Sequence, residues 1–465
     1  MTARITPGLT DLSRIERAEL DPVVGRAPTR SQGFLLPAAG YLLLAVGTVL
    51  LIASRPASDR LADLQVYRGA VQAVHAGDGL YGFHAANGDP FTYPPFAALV
   101  LTPLTWIPGP VAATAWTVAT LIALVAIGYV FAARGTSTGA GPFAPGRHRM
   151  AWVFACVLLA SAPAQSNMRF GQVSVFIVLL TLIDVAGLLP GRWAGVGVGV
   201  AAAVKLTPLL FVAHFLVTAR PRQARRAVVT FAACAGLGWL VLPDDSRTFW
   251  SSALFRTDRI GDLADPGNQS LHGIALRTGM PASWQTGAWL ISALVVCAVA
   301  LRHAHLLHRR GDAVSAGVVT GCATVAASPL SWTHHQFWPV LAVLVLVTSR
   351  RRTRAMAGWL LLAVMTLGMG TLVDASLPSA LAFIAVNVRG LVTTAVCILG
   401  ARHLSRGHDD VRAAHEARSS RLLRSGGLRA HSRRQWSVVQ RPSRPGCVDR
   451  GGRTPRRGGL DHVAK

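Results

Sequence analysis

The sequence predicts an all-α polytopic membrane protein, about twelve transmembrane helices with a long polar loop after the first. Only 14% of its 465 residues are charged and 51% are hydrophobic, giving a mean hydropathy of +0.41. Soluble domains carry about 25% charged residues. Apolar runs recur at roughly the 20-residue length that spans a bilayer, and basic residues cluster between them as they do in cytoplasmic loops. A soluble enzyme, a coiled coil and a disordered chain are all poor fits.

The elements follow in order. Residues 1–33 form a mixed-charge cytoplasmic leader rather than a cleavable signal, because the first apolar run begins only near Phe34. The first span is 34–53, and the polar stretch 54–95 after it holds Asp59, Asp63, Asp78 and Asp89. Further spans read as 111–133, 150–165, 172–189, 193–205, 207–219, 226–243, 285–302, 313–328, 336–349, 356–373 and 379–401. The basic clusters near residues 147, 220, 309 and 350 are cytoplasmic together under two conditions. Residues 94–108 must dip into the outer leaflet without crossing, and 193–219 must be a hairpin of two short helices; the prolines in both stretches suit this. The outer face then holds the long loops 54–110 and 244–284 and the short segments 165–171, 205–208 and 329–335. The transmembrane domain is 34–401. Residues 402–465, rich in Arg, Gly and Ser, read as a disordered cytoplasmic tail, more readily passive than bound to anionic lipid.

Of the 46 basic residues against 21 acidic ones, a net charge of +25, all but Lys205 and Lys465 are arginine. That uniformity reflects a GC-rich genome, and the positive-inside rule accounts for the charge without nucleic acid. Cys156, Cys234, Cys297, Cys322 and Cys397 fall in apolar segments, so neither a disulfide framework nor a C-x-x-C metal site is implied. No internal repeat of the inverted-transporter kind is visible.

Five polar clusters converge on the outer face. The first loop carries Asp63-Leu64-Gln65-Val66-Tyr67, Gly79-Leu80-Tyr81 and Phe91-Thr92-Tyr93-Pro94-Pro95. Asp59 and Asp63, spaced i, i+4, would share one helix face. A carboxylate at this boundary can act as general base, although helix capping is the commoner fate of a loop Asp. The others are Asn167-Met168-Arg169-Phe170-Gly171-Gln172, Lys205-Leu206-Thr207-Pro208, Asn268-Gln269-Ser270-Leu271-His272-Gly273 and Ser328-Pro329-Leu330-Ser331-Trp332-Thr333-His334-His335. Ionisable groups embedded at a membrane default to a functional reading.

In order and spacing these motifs resemble glycosyltransferase family eighty-seven over roughly residues 34–400. The resemblance implies a GT-C-type fold and an envelope enzyme of actinobacterial type in the cytoplasmic (plasma) membrane, with its active site on the extracytoplasmic face. It implies transfer of mannose from polyprenyl-phosphate mannose to a mannosylated lipid or lipoglycan, with inversion to an α linkage, 1,2 in position. The first-loop acid of such enzymes corresponds to Asp63, with Asp59 as understudy. The leaving phosphate needs cations, for which Lys205, Arg169, His334 and His335 are candidates in that order. Tyr67, Tyr93, Gln172, Asn268, Gln269 and Trp332 are candidate substrate contacts. Tyr93 and Trp332 could stack on a sugar, though an interfacial aromatic belt explains them equally. The adjacent histidines make a poor metal pair, whereas Asp59 with Asp63 could hold Mg or Mn, which leaves metal dependence open. Arg389, deep in the last apolar segment, needs a partner, with Asp184 and Asp374 as candidates. Arabinofuranosyl transfer from polyprenyl-phosphate arabinose and flipping of a lipid-linked sugar stand as alternatives.

Overall fold

The structure is a computed structural model that describes residues 33–135, 145–256, 259, 261–349, 351–367 and 378–404. The leader up to residue 32, the tail beyond 404 and Asp374 lie outside the described residues.

The described residues form seventeen α-helices and no β-strand. In chain order they begin with α1 (Leu35–Ala53), then α2 (Ala62–His75) and α3 (Pro95–Leu101) in the first polar loop, α4 (Gly109–Gly135), α5 (Pro145–Ala160) and α6 (Ala162–Phe170). Next come α7 (Ser174–Val185), α8 (Val196–Val204), α9 (Leu210–Val217) and α10 (Pro221–Val241). A second polar loop contains α11 (Pro243–Thr248) and α12 (Leu271–Arg277), and the chain continues as α13 (Ala282–Arg309), α14 (Ala313–Ala327), α15 (Phe337–Val347), α16 (Arg352–Thr366) and α17 (Ser379–His403). Each of the twelve apolar segments overlaps at least one of these helices within the described residues. Five of them, α1, α4, α10, α13 and α17, are long and apolar enough to cross a membrane by length and composition.

The packing inverts that of a soluble protein. Leu36 on α1 is 83% exposed, and Leu240 on α10 is 81% exposed, surfaces suited to hydrocarbon rather than water. The short helices α14 and α15 lie at the centre, buried along nearly their whole length. Gly321 of α14 leaves room for the Trp338 indole of α15 against its backbone, the close approach that small residues permit in membrane bundles.

Two ends of the bundle are distinguished by their polar groups. α7 starts beside Gln172 and finishes at Val185, whose carbonyl accepts from Arg220 at 3.1 Å. At that same end Arg134 donates to the Gly187 carbonyl at 2.9 Å and Arg354 to the Arg402 carbonyl at 2.8 Å. α8 runs alongside α10 in the same direction, Gly195 against Gln223 and Gly199 against Ala227, and α9 returns, so Lys205 sits at the opposite end. α3 and the 3-10 turn Thr102–Thr105 together rise roughly 18 Å, well short of a ~30 Å hydrocarbon core.

One of the two expected partners of Arg389, Asp184, requires correction. Asp184 accepts from the backbone N–H groups of Gly195 and Val198 at 2.7 and 3.0 Å and so caps α8. Arg389, 2% exposed, donates instead to the Val364 carbonyl at 3.1 Å and to that of Leu367. These are carbonyls at the C-terminal end of α16, which lack intrahelical partners; among the described residues they and the Thr333 hydroxyl, 3.5 Å away, take the guanidinium.

Candidate active site

Asp63 stands in the first turn of α2, where the helix dipole favours an anion. Leu61 before it is left-handed, φ 52°, and its N–H donates to the Arg169 carbonyl at 2.7 Å. That conformation costs a leucine roughly 1–2 kcal/mol, and the docking of α2 onto α6 sustains it. α6 is capped by Ser161 and ends at Gly171, φ 70°. A Cβ at Gly171 would come 2.9 Å from the Leu64 Cβ, so only glycine turns the chain here and brings Gln172 against α2.

Gln172 donates through Nε2 to Asp63 Oδ2 at 2.6 Å. Its Oε1 accepts from the Tyr67 and Tyr93 hydroxyls at 3.0 and 2.9 Å. The two hydroxyls lie 3.0 Å apart, with the rings edge to face. Asp63 Oδ1 takes no hydrogen bond among the described residues. Burial pushes the Asp63 carboxyl up to about 7, with Asp89 adding to the rise, while the Gln172 hydrogen bond and Lys205 oppose it.

Lys205 ends α8 in extended conformation. Its ammonium lies over the Tyr93 ring, 5.3 Å from the centroid, and donates to His335 Nε2 at 2.7 Å. His335 Nδ1 lies 3.2 Å from the Trp332 backbone nitrogen. Burial pulls Lys205 down to about 8, and Asp63 opposes that shift. Burial and the Lys205 charge hold both His334 and His335 well below the usual imidazole range. They are therefore neutral groups, and the positive charge falls to lysine. The two rings are perpendicular, 4.4 Å between centroids, with His334 Nδ1 3.4 Å from Ser166 Oγ.

These groups surround one cavity of about 590 Å³, lined by Asp63, Tyr67, Tyr93, Gln172, Lys205, Trp332, His334 and His335 among others. Four expected site residues lie elsewhere. Asp59 is in a 3-10 turn, Ala57–Asp59, cut off from α2 by Leu61, so the expected shared helix face with Asp63 does not form. It pairs with Arg169 at 2.7 Å, and neither of the two lines the cavity. Asn268 and Gln269 are 0% and 1% exposed. Asn268 accepts from the Ser331 N–H at 2.9 Å and donates to the Leu263 and Pro329 carbonyls. Gln269 bridges to the Val386 carbonyl and the Gly390 N–H. Both tie the second polar loop to the bundle. Trp332 faces the cavity with Gly267 packed on its ring.

Three charged residues of the cavity wall escaped the sequence reading: Asp89, Arg256 and Arg259. Arg259 donates to the Tyr81 carbonyl at 2.8 Å. The signal for the arginines was their place in a loop that the positive-inside map puts away from the basic face.

Residues 91–329 match glycosyltransferase family 87. A polyprenol-phosphate-mannose-dependent alpha-(1-2)-phosphatidylinositol mannoside mannosyltransferase of Mycobacterium tuberculosis is 34% identical over 316 residues, 63% of this chain and 72% of its own. The protein of the same description from Mycolicibacterium smegmatis is 32% identical, covering 63% and 71%. A phosphatidylinositol pentamannoside mannosyltransferase of M. tuberculosis, dependent on the same donor, is 31% identical over 77% of this chain and 85% of its own. No solved structure matches. A multi-pass membrane protein whose cavity brings together an acid, a lysine and aromatic rings, the chain belongs to glycosyltransferase family 87.

Proposed function

We propose that this chain transfers mannose from polyprenyl-phosphate mannose to a phosphatidylinositol mannoside, forming an α-(1,2) linkage, as the names of its relatives describe for those proteins. The observation that carries the mechanism is the shared cavity of Asp63 and Lys205. Asp63 Oδ1 accepts the proton of the acceptor hydroxyl, whose oxygen attacks the anomeric carbon. The bond from that carbon to the phosphate oxygen breaks on the opposite side, and a β-linked donor gives an α product. The leaving phosphate gains charge, and the Lys205 ammonium stabilises it. The cavity end is the extracytoplasmic face of the plasma membrane and the arginine end the cytoplasmic face, with twelve crossings. The prenyl chain lies among the helices. Asp59 is engaged by Arg169, and the Lys205 ammonium supplies positive charge in the cavity.

Purified protein in lipid vesicles, given labelled polyprenyl-phosphate mannose and a phosphatidylinositol mannoside, should form labelled product with and without a chelator. Asp63→Asn should lower turnover by about 10²–10⁴-fold, the usual worth of a general base, while donor binding persists. Turnover near wild type in that variant would remove Asp63 as the base. Transfer from the arabinose donor alone would correct the sugar, and donor translocation without transfer would end the enzyme reading. Loss of turnover on chelation, restored by Mg or Mn, would place a cation in the cavity, with Asp63 and Asp89 as its carboxylates.

A further inference from the structure

We infer that Gln172, held by Tyr67 and Tyr93, is a positioning residue that engages Asp63 Oδ2 permanently and so makes Oδ1 the atom that receives the acceptor proton. This rests on Asp63 being the base.

The argument is one of donors and acceptors. An ionised carboxylate only accepts, so the amide nitrogen of Gln172 must be the end that faces Asp63. Oε1 then faces the tyrosines and takes a proton from each hydroxyl. Turning the amide over would set Oε1 against the carboxylate and reverse both hydroxyls. The three side chains are 5%, 1% and 8% exposed for Gln172, Tyr67 and Tyr93, and their polar atoms are committed to one another. In the step itself the acceptor O–H bond breaks and an Oδ1–H bond forms, the acceptor oxygen bonds to the anomeric carbon, and the electron pair leaves with phosphate. The proton departs from Oδ1 to solvent once product leaves.

The other charges near Asp63 are Asp89, which raises its proton affinity, and Lys205, which lowers it. His334, His335, Arg256 and Arg259 share the cavity wall. None of them is altered in the experiment, so a change in titration belongs to the amide. The test is the pH dependence of mannosyl transfer for Gln172→Met and for Tyr67→Phe/Tyr93→Phe, which keeps the rings and removes only hydroxyls. Without the Nε2 hydrogen bond the carboxylate is less stabilised, and the acidic limb of kcat should move up by about one pH unit, roughly tenfold in rate below pH 7. KM for both substrates should stay within about twofold, since uniform binding is untouched. The tyrosine variant should shift the limb in the same direction by less. An acidic limb that stays in place in the folded tyrosine variant and in Gln172→Met overturns the inference, whether or not KM rises. Asp63→Asn run alongside separates the two failures: if it alone is inactive, the base stands and only its positioning by Gln172 falls.

Discussion

Gln172 and Gln269 are both glutamines buried at the cavity end of the bundle, and their amides end on different kinds of partner. Gln269 bonds to backbone throughout: Nε2 donates to the Pro266 and Val386 carbonyls, each at 2.7 Å, and Oε1 accepts from the Gly390 N–H at 2.8 Å. Gln172 bonds through its side chain to side chains: Asp63, Tyr67 and Tyr93. Backbone partners cannot change protonation state, so Gln269 fixes only where a loop meets α17. A carboxylate partner can, so Gln172 sets a charge as well as a position. Burial and satisfied hydrogen bonds are common to both. What separates chemistry from scaffold is whether the partners titrate.

The strongest break of this contrast within the cavity is at Lys205, the charge opposite Asp63. Lys205→Met should lower transfer by about 10²–10³-fold, the range seen when a group stabilising a developing anion is removed, and Lys205→Arg should recover part of it. Single-turnover transfer in vesicles measures this. A loss confined to donor KM would make Lys205 a ground-state contact and leave the leaving group without its cation.

The titration itself comes next. Asp63, pushed up to about 7, must lose its proton to act, so activity should rise as pH climbs through that value. Lys205, pulled down to about 8, must keep its proton, so activity should fall as pH passes it. The expected kcat/KM profile is a narrow bell between the two, belonging to the pair because each group shifts the other. Lys205→Arg should remove the alkaline limb, since guanidinium stays charged.

On the scaffold side the expected effect is on stability. Gln269→Leu leaves the Gly390 N–H and two carbonyls without that partner, and each buried polar group left unsatisfied costs about 1–3 kcal/mol. The thermal midpoint in detergent should fall by several degrees, while the folded fraction keeps the wild-type pH profile. A displaced acidic limb in this variant would erase the distinction between the two glutamines.

The helices were legible in the sequence because lipid demands long apolar runs, and five of them are long enough to show it directly. Asp63, Tyr93 and Lys205, singled out in the sequence because polar groups at a membrane boundary carry a cost, do come together at one cavity. Asp59 was misread for a local reason. The i, i+4 spacing assumes a continuous helix, and a left-handed leucine at position 61 breaks it with no trace in composition. The Arg169 pairing was hidden for a distant one: its partner comes from 110 positions earlier in the chain, and a cation at a helix end looks the same whichever way it points. Asn268 and Gln269 bond to loop and helix backbone, and a polar cluster that anchors a loop has the same residue types as one that binds a ligand. Arg256 and Arg259 were hidden in a chain where nearly every basic residue is arginine.

Arg169 offers the smallest effect and the finest test of where the cavity ends. Its guanidinium pairs with Asp59 at 2.7 Å with side chains 33% and 41% exposed, and lies 4.7 Å from the Phe170 ring centroid. Exposed pairs of this kind contribute about 0.2–1 kcal/mol, so Arg169→Gln should lower stability slightly. The Leu61 N–H bond to the Arg169 carbonyl survives the substitution because it is made by backbone. α2 therefore keeps its docking, Asp63 keeps its place, and transfer should fall by no more than about fivefold, the rate equivalent of the upper end of that free energy. Asp59→Asn should match it, and the double variant should be no worse than either, as a pair acting only on each other requires. A hundredfold loss in Arg169→Gln with Asp59→Asn unaffected would put the guanidinium on the phosphate during turnover. The site would then extend past Phe170, and the ion pair would be a resting arrangement that substrate displaces.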